Sequence, residues 1–397
     1  MTQIQQEEEQ VAIRGLLLSV RDELGHEVAA EWRTAALALP RHRFLPDLIW
    51  LRDDRGRYRA CDRRTDPAAW FTAAYTDEAV VTQINDGASP AEGDRPWPSS
   101  SASAPSVVFR MLEALDLSAG IRVLEIGTGT GLTSAYLAHR LGDANVVTIE
   151  VDPALTEKAR AVLAANSAKP TVICGDGQKG WRRDAPYDRV AATCSVTRVP
   201  DAWVQQTRPG GVILTPWDNP WICWGLLRLT VRGDGTAEGR FSPYSAFMTL
   251  RDQRQQHRIY RDVVRDEHEP KESSTGLAPR LVAGGEWESD FAVGHRLGDV
   301  WYVWHDDPEV EGVQRRLWLA TTDCTSWAAV DWDGDENAER YAVWQYGSRR
   351  LWEEAEAAYR WWGDHGRPGP ERFGLTVSGE GHQVWLDDPA NSWLLRG

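Results

Sequence analysis

Apolar residues recur at helical spacing from about residue 11 to 39, and the run closes at Pro40 inside "LPRHRFLP". "WFTAAYTDEAVVTQ" (70–83) places β-prone residues around a polar centre, and "NDGASPAEGDRPWPSS" (85–100) is turn-rich and reads as a surface excursion with a solvent-facing serine rim. Pro105 then suits the first turn of a helix carrying "SVVFRMLEALDL", with Ser103 or Ala104 at its cap. A β/α alternation follows. "IRVLEIG", "NVVTIEV", "PTVICGD", "YDRVAATCS" and "GGVILTPW" are short buried-strand runs. "TSAYLAHRLG" and "DPALTEKARAVLAAN" between them are helices, the second opened by an Asp cap and a proline. Such repetition predicts an α/β fold of Rossmann-like type, a parallel sheet with helices on both faces.

The texture changes after "LTPW". Residues 224–250 read as strand, "GDG" turn and strand, completing the first domain (1–252). A polar stretch, 253–275, is the expected linker. Beyond it "DVWYVWHD", "RLWLATTD", "SWAAVDW" and "RYAVWQY" are Trp-rich strands, and "SRRLWEEAEAAYRWWGDHG" is a helix with Ser348 as its expected cap and Trp352, Ala355, Tyr359 and Trp362 on one face. A closing hairpin makes 276–397 an α+β accessory domain.

Composition narrows the function classes. At 397 residues two domains are expected. A net charge of -15 argues against a polyanion such as nucleic acid as the main partner. No apolar run approaches the roughly 18 residues that span a bilayer. The N-terminal "QQEEEQ" puts glutamates where a signal peptide needs positive charge, so the chain is expected to be cytoplasmic, with an exposed tail before its first helix. Five scattered cysteines without a CxxC pair suit reduced, mostly buried thiols rather than a disulfide framework or a zinc site.

Candidate chemistry concentrates at the strand ends. "VLEIGTGTGL" sets Glu125 two residues before the turn of Gly127, Thr128, Gly129 and Gly131, where glycines let the backbone approach a ligand and point amides at it from a helix N-terminus. Glu150 ends the next strand, where a carboxylate can accept both ribose hydroxyls, with Val151 beside it. Asp176 and Gly177 end the strand after that, within reach of an adenine amine. The third glycine of a dinucleotide GxGxxG is replaced by Leu132, and an acid just ahead of the turn suits a cationic amino group. The set therefore favours S-adenosyl-L-methionine over a dinucleotide.

"LPRHRFLP", "AYTDEAV", "VLEIGTGTG", "VVTIEVDPAL", "GDGQKGW…APYDRV", "VPDAWVQQTRPGGVILTPW" and "SAFMTL" stand in the order found in protein L-isoaspartate O-methyltransferases, which the chain resembles over roughly residues 30 to 250. The resemblance implies a carboxyl O-methyltransferase that uses S-adenosyl-L-methionine and releases S-adenosyl-L-homocysteine. The family's substrate motif, T-I-S-x-P, falls on Ser101, Ala102, Ser103, Ala104 and Pro105. It implies that the Ser103 hydroxyl holds the substrate carboxylate, with Ser101 and Pro105 beside it. Serine for threonine and alanine for isoleucine depart from the motif. The long C-terminal extension is similar to that of methyltransferases that act after ATP-grasp ligases on graspetides, or after lanthipeptide synthetases. Those relatives imply that one L-aspartate of a pre-cyclised ribosomal peptide is methylated and closes to an aspartimide. The resemblance also implies general isoaspartate repair as an alternative.

Two further features carry less. Arg251, Arg254, Arg258, Arg261 and Arg265 recur at helical spacing as a basic stripe or a solvated face, and "DWDGDE" (331–336) reads as an acidic hairpin turn rather than a calcium loop.

Overall fold

A computed structural model describes residues 3–54, 56–89, 96–243 and 246–396. The chain divides into two compact units, one of residues 1–194, 200–215 and 230–235, the other of 195–199, 216–229 and 236–397.

The first unit opens with helices α1 (Gln3–Leu24) and α2 (Ala30–Ala38). The glutamate run belongs to α1 and is not a free tail: Glu9 is buried and takes an ion pair from Arg43 at 2.9 Å. Next come β1 (Leu48–Arg52), β2 (Tyr58–Asp62), α3 (Pro67–Ala74), β3 (Val80–Ile84) and β4 (Pro98–Ala102). The four strands form an antiparallel sheet in the order β2-β1-β3-β4. Residues 70–74, β-prone by composition, are helical because Asp66 accepts the Ala69 N–H at 3.1 Å and Pro67 fills the first helical position. The expected surface excursion ends in β4, where Ser99 and Ser100 are buried; residues 90–95 of it lie outside the described residues.

The β/α alternation follows as α4 (Pro105–Ala114), β5 (Val123–Ile126), α5 (Leu132–Leu141), β6 (Val146–Glu150), α6 (Pro153–Ala165), β7 (Thr171–Cys174), β8 (Tyr187–Ala192), α7 (Asp201–Gln206) and β9 (Thr207–Pro216). Strands run parallel in the order β9-β8-β5-β6-β7, with β5 central and Val123, Leu124 and Ile126 fully buried. Order reverses between β5 and β8, so the carboxyl ends of those two strands open a crevice at a topological switch point, where open α/β sheets take ligands, and the end of β6 stands on the other side of β5.

The second unit holds β10 (Leu226–Val231) at its division from the first, β11 (Ala237–Ser242), β12 (Lys271–Thr275), α8 (Pro279–Val282), α9 (Trp287–Leu297), β13 (Val300–Asp306), β14 (Arg315–Thr321), β15 (Trp327–Trp332), β16 (Tyr341–Tyr346), α10 (Leu351–Asp364), β17 (Phe373–Ser378), β18 (Gly381–Leu386) and β19 (Ser392–Leu394). β11, read from the sequence as completing the first sheet, is a strand of that ten-stranded sheet, and it also pairs antiparallel with β17. The Trp-rich strands form the sheet β12-β16-β15-β14-β13. Alternate residues divide between its faces. Leu317, Leu319, Ala328 and Val330 pack against Val282, Val293, Leu351, Trp352 and Ala355 on one side. Trp318, Ala320, Trp327 and Ala329 pack against Ile259 and Val263 on the other. The arginine stripe is not a single helix: it runs through a 3-10 turn, an extended stretch and a five-residue π turn. Ser348 does not cap α10. Arg350 occupies that position without a side-chain bond, and Gln345 accepts the Trp352 N–H at 2.9 Å instead.

One long-range cap prepares the site. Ala104 precedes α4 and has no capping side chain, but Asp77 of the "AYTDEAV" turn accepts the Ser106 N–H at 2.8 Å. Asp77→Ala is expected to cost about 1 kcal/mol of first-unit stability in urea unfolding, and Asp77→Asn, which still accepts that N–H, only a few tenths.

Candidate active site

Glu150 stands at the carboxyl end of β6, nearly buried. Its Oε2 accepts the Gly129 N–H at 2.9 Å and its Oε1 the Asp152 N–H at 3.0 Å. A carboxylate offers about four lone-pair sites, so each oxygen keeps one acceptor direction for a hydroxyl. Asp152 in turn caps α6, its Oδ1 accepting Ala154 N–H and Leu155 N–H at 2.8 and 3.1 Å. Its Oδ2 accepts from Gln83 Nε2 at 2.9 Å. The Ser99 hydroxyl donates to Gln83 Oε1 at 2.9 Å and fixes that amide's orientation. A chain of hydrogen bonds thus runs from the serine strand β4 to the Glu150 carboxylate.

The glycine turn works differently from the sequence expectation that its amides face a ligand. Gly127 and Thr128 donate to Ile149 O at 2.8 and 3.2 Å, Gly129 to Glu150, and Gly131 to Thr128 O at 2.8 Å. The amides are spent inside the protein, and the turn's service to a ligand is its lack of side chains. Gly127 has φ +96°, and a Cβ there would lie 2.7 Å from Thr193 Oγ1. Gly129 faces the serine strand: its Cβ position is 3.8 Å from Ser100 Oγ and from Ser101 O. The buried Ser100 hydroxyl accepts from Thr82 Oγ1 at 3.3 Å, so two of the serines in "PSSSASAP" face inward and serve the joint between turn and strand.

Glu125, at 0% exposed, ends β5 beneath this turn. Its Oε2 accepts from the Ser134 hydroxyl, and Ser134 and Thr128 both contact Thr148 Oγ1. Burial pushes its pKa up to about 7, with Glu150 adding to the rise and the Ser134 and Thr148 hydroxyls opposing it. Oε1 is buried without a hydrogen-bond partner among the described residues. A buried carboxylate with an unspent oxygen suits a cationic nitrogen close by. Val151 is 40% exposed beside Glu150, an apolar surface for a flat ring. Asp176 is used locally: it accepts the Gln178 N–H at 2.9 Å and pairs with Lys179 at 3.3 Å. Gly177, buried, accepts from Trp203 Nε1 at 2.8 Å through its carbonyl. Gly175 N–H donates to Glu150 O at 2.9 Å, which keeps this strand end against the previous one.

Ser101, in β4, and Ser103, just beyond it, flank the buried Ala102, and both are partly exposed. Ser103 lines a small cavity with Arg41, Tyr75, Pro105, Leu132 and Tyr136. Leu132 is the first residue of α5, so this cavity borders the end of the glycine turn. Sequence reasoning assigned no site role to Arg41, Gln83, Ser99, Ser100, Ser134 or Asp152. Asp152 was legible as a helix cap and the serine run as unusual, while Arg41 and Gln83 carried no local signal. The arrangement can hold a ligand with paired hydroxyls and a cationic nitrogen, beside a partly exposed serine hydroxyl able to donate to an acidic group.

The family model described as "Protein-L-isoaspartate(D-aspartate) O-methyltransferase (PCMT)" matches residues 60–255. The protein-L-isoaspartate O-methyltransferase of Methylorubrum extorquens (strain PA1) is 41% identical over 165 residues, covering 41% of this chain and 71% of that one. Protein-L-isoaspartate O-methyltransferase 2 of Shewanella sediminis (strain HAW-EB3) is 32% identical over 202 residues, covering 51% and 68%. Against the enzyme of Ignicoccus hospitalis the identity is 43%, and the chain spans 55% of that relative's length. A solved structure titled protein-L-isoaspartate O-methyltransferase shares the fold, with a TM-score of 0.53 at 19% identity, covering 95% of this chain and 100% of the other.

The raised Glu125 pKa has a signed consequence. The native state binds this proton more tightly than the unfolded chain, so stability falls as pH rises from the ordinary carboxylate range through about 7. Glu125→Gln removes that dependence. Urea unfolding of wild type against Glu125→Gln is expected to show the wild type losing about 2 to 3 kcal/mol relative to the variant between pH 5 and pH 8.

Proposed function

Because the chain belongs to the protein-L-isoaspartate O-methyltransferase family, we propose that it esterifies an aspartyl side-chain carboxylate, and more narrowly one L-aspartate of a pre-cyclised ribosomal peptide. The observation that carries the reading is the placement of Ser103 at the start of α4, partly exposed, next to a glycine turn tied to Glu150. The methyl donor is S-adenosyl-L-methionine, which supplies an electrophilic methyl group on a sulfonium. The residues present fit it: Glu150 has acceptor directions left for ribose hydroxyls, Val151 offers an apolar face for adenine, and Glu125 holds an unspent oxygen near the place of an amino group.

The substrate carboxylate is already ionised at neutral pH, so no residue has to act as a base. Ser103 donates one hydrogen bond and orients the carboxylate without protonating it. A cation paired to that carboxylate would oppose transfer, since ester formation removes the negative charge. Arg41, the cation lining the cavity, has both terminal nitrogens occupied by backbone carbonyls.

Once esterified, the aspartyl carbonyl is open to attack by the following backbone nitrogen. A C–N bond forms, the C–O bond to methoxide breaks, the amide proton leaves with it as methanol, and a succinimide results. In the narrower reading this ring is the product, and the partners are the modified peptide and the ATP-grasp ligase, or lanthipeptide synthetase, that cyclises it. The altered substrate segment, Ser101 and Ala102 in place of threonine and isoleucine, supports a substrate unlike an ordinary isoaspartyl peptide. A second reading, general isoaspartate repair, draws support from the solved methyltransferase whose whole chain is covered by this fold.

Mass spectrometry of two substrates separates them. With S-adenosyl-L-methionine, the cyclised precursor is expected to gain one methyl and then lose methanol at least about tenfold faster than an isoaspartyl peptide is methylated, a difference of about 1.4 kcal/mol in transition-state binding. The reverse preference favours repair. Ser103→Ala is expected to slow methyl transfer by about a hundredfold, with cofactor affinity unchanged by calorimetry.

A further inference from the structure

Arg41 lies in "LPRHRFLP" at 2% exposed. Its Nη1 donates to Ala73 O, Ala74 O and Thr76 O at 3.4, 3.2 and 3.1 Å. Its Nη2 donates to Glu78 O, Ala102 O and Ser103 O at 2.8, 3.1 and 3.1 Å. Every acceptor is a backbone carbonyl. Two cap the C-terminal end of α3, two belong to the turn between α3 and β3, and two lie at the last residue of β4 and the one after it. Burial lowers the guanidinium pKa to about 10, with Tyr136, Asp77 and Tyr75 acting in the opposite direction, so the group remains a cation at neutral pH. Buried cations are ordinarily paired with a carboxylate because desolvation is costly. This one meets only carbonyl dipoles through its two terminal nitrogens, and its Nε is buried without a hydrogen-bond partner among the described residues.

The last two contacts bear on catalysis. The Ala102 carbonyl belongs to the peptide plane before the Ser103 Cα, and the Ser103 carbonyl to the plane after it. Orienting both planes fixes φ and ψ of that residue, and with them the direction of its Cα–Cβ bond. We propose that Arg41 is a positioning residue for methyl transfer: by clamping the two peptide planes around Ser103 it aims the hydroxyl at the substrate carboxylate, while its own charge stays committed to carbonyls. This rests on the reading of Ser103 as the substrate-orienting hydroxyl. The same clamp binds the turn carrying Asp77, so the helix cap at Ser106 and the hydroxyl share one anchor.

A lysine keeps the charge but cannot span six carbonyls with three donors. Arg41→Lys, assayed well below its own melting temperature with the better of the two peptide substrates, is expected to lower kcat by about ten- to hundredfold, since small misplacements of a reacting group cost that much. Its Kd for S-adenosyl-L-homocysteine is expected to stay within about twofold of wild type, as a clamp remote from Glu150 and Glu125 predicts. The decisive measurement is a double-mutant cycle: if Arg41 acts through Ser103, Arg41→Lys has almost no further effect in a Ser103→Ala background. Should the lysine variant not fold, Arg41→Gln carries the same cycle without burying a charge. A kcat/KM within about twofold of wild type, or a loss repeated in full in the Ser103→Ala background, overturns the clamp while leaving the function standing. Full activity of Ser103→Ala overturns the serine reading and the clamp with it, and a wild type that methylates neither peptide overturns the proposed function itself.

Discussion

Two backbone N–H groups decide where the Glu150 carboxylate can be. One comes from the glycine turn after β5, the other from the second residue beyond β6, and each takes a separate oxygen. A carboxylate that is nearly buried needs such donors, because unpaired charge in a low-dielectric setting is costly. The consequence runs outward. Asp152 sits where it caps α6, Gln83 meets Asp152, and Ser99 holds Gln83, so the antiparallel sheet is registered against the parallel one. The same crowding of carboxylates contributes to the difficulty of ionising Glu125. Site and scaffold are one hydrogen-bonded structure in the first unit.

What could be read from the sequence divides along the range of the interactions. Periodicity and turn chemistry are local, and they revealed the β/α alternation, the glycine turn, the Asp152 cap and the Pro105 helix start. The hairpin β1–β2 escaped notice because "LIWLR" and "YRACD" are short and mixed in polarity. Its partners become evident only when Trp50 is seen paired with Ala60 and Val81. Residues 70–74 were misread because the deciding group, the Asp66 side chain, stands outside the apolar run. Arg41 and Gln83 act on residues up to 62 and 69 positions away, and nothing near them in the chain announces it. The serine run was noticed for its composition, which hides two kinds of serine: Ser99 and Ser100 buried inside the joint, Ser101 and Ser103 partly exposed.

The second unit makes the same point with tryptophan. Its strands looked alike in sequence, yet alternate positions serve opposite faces, Leu317 and Leu319 against helices, Trp318 and Ala320 against Ile259 and Val263. A polar stretch between them supplies the second cover through two apolar residues spaced four apart. Counting charged residues concealed those two.

The base of the excursion before β4 is closed by its own ends. Asn85 N–H donates to Trp97 O at 2.9 Å, and the Trp97 N–H returns to Asn85 Oδ1 at 3.0 Å. Chain inserted or removed beyond that clasp leaves the β3–β4 pairing and the Ser103 geometry where they are, since the entropy of closing a longer loop grows only slowly with its length. The segment is therefore a graft point. Chain length there can change without reopening the question of how the Ser103 hydroxyl is held.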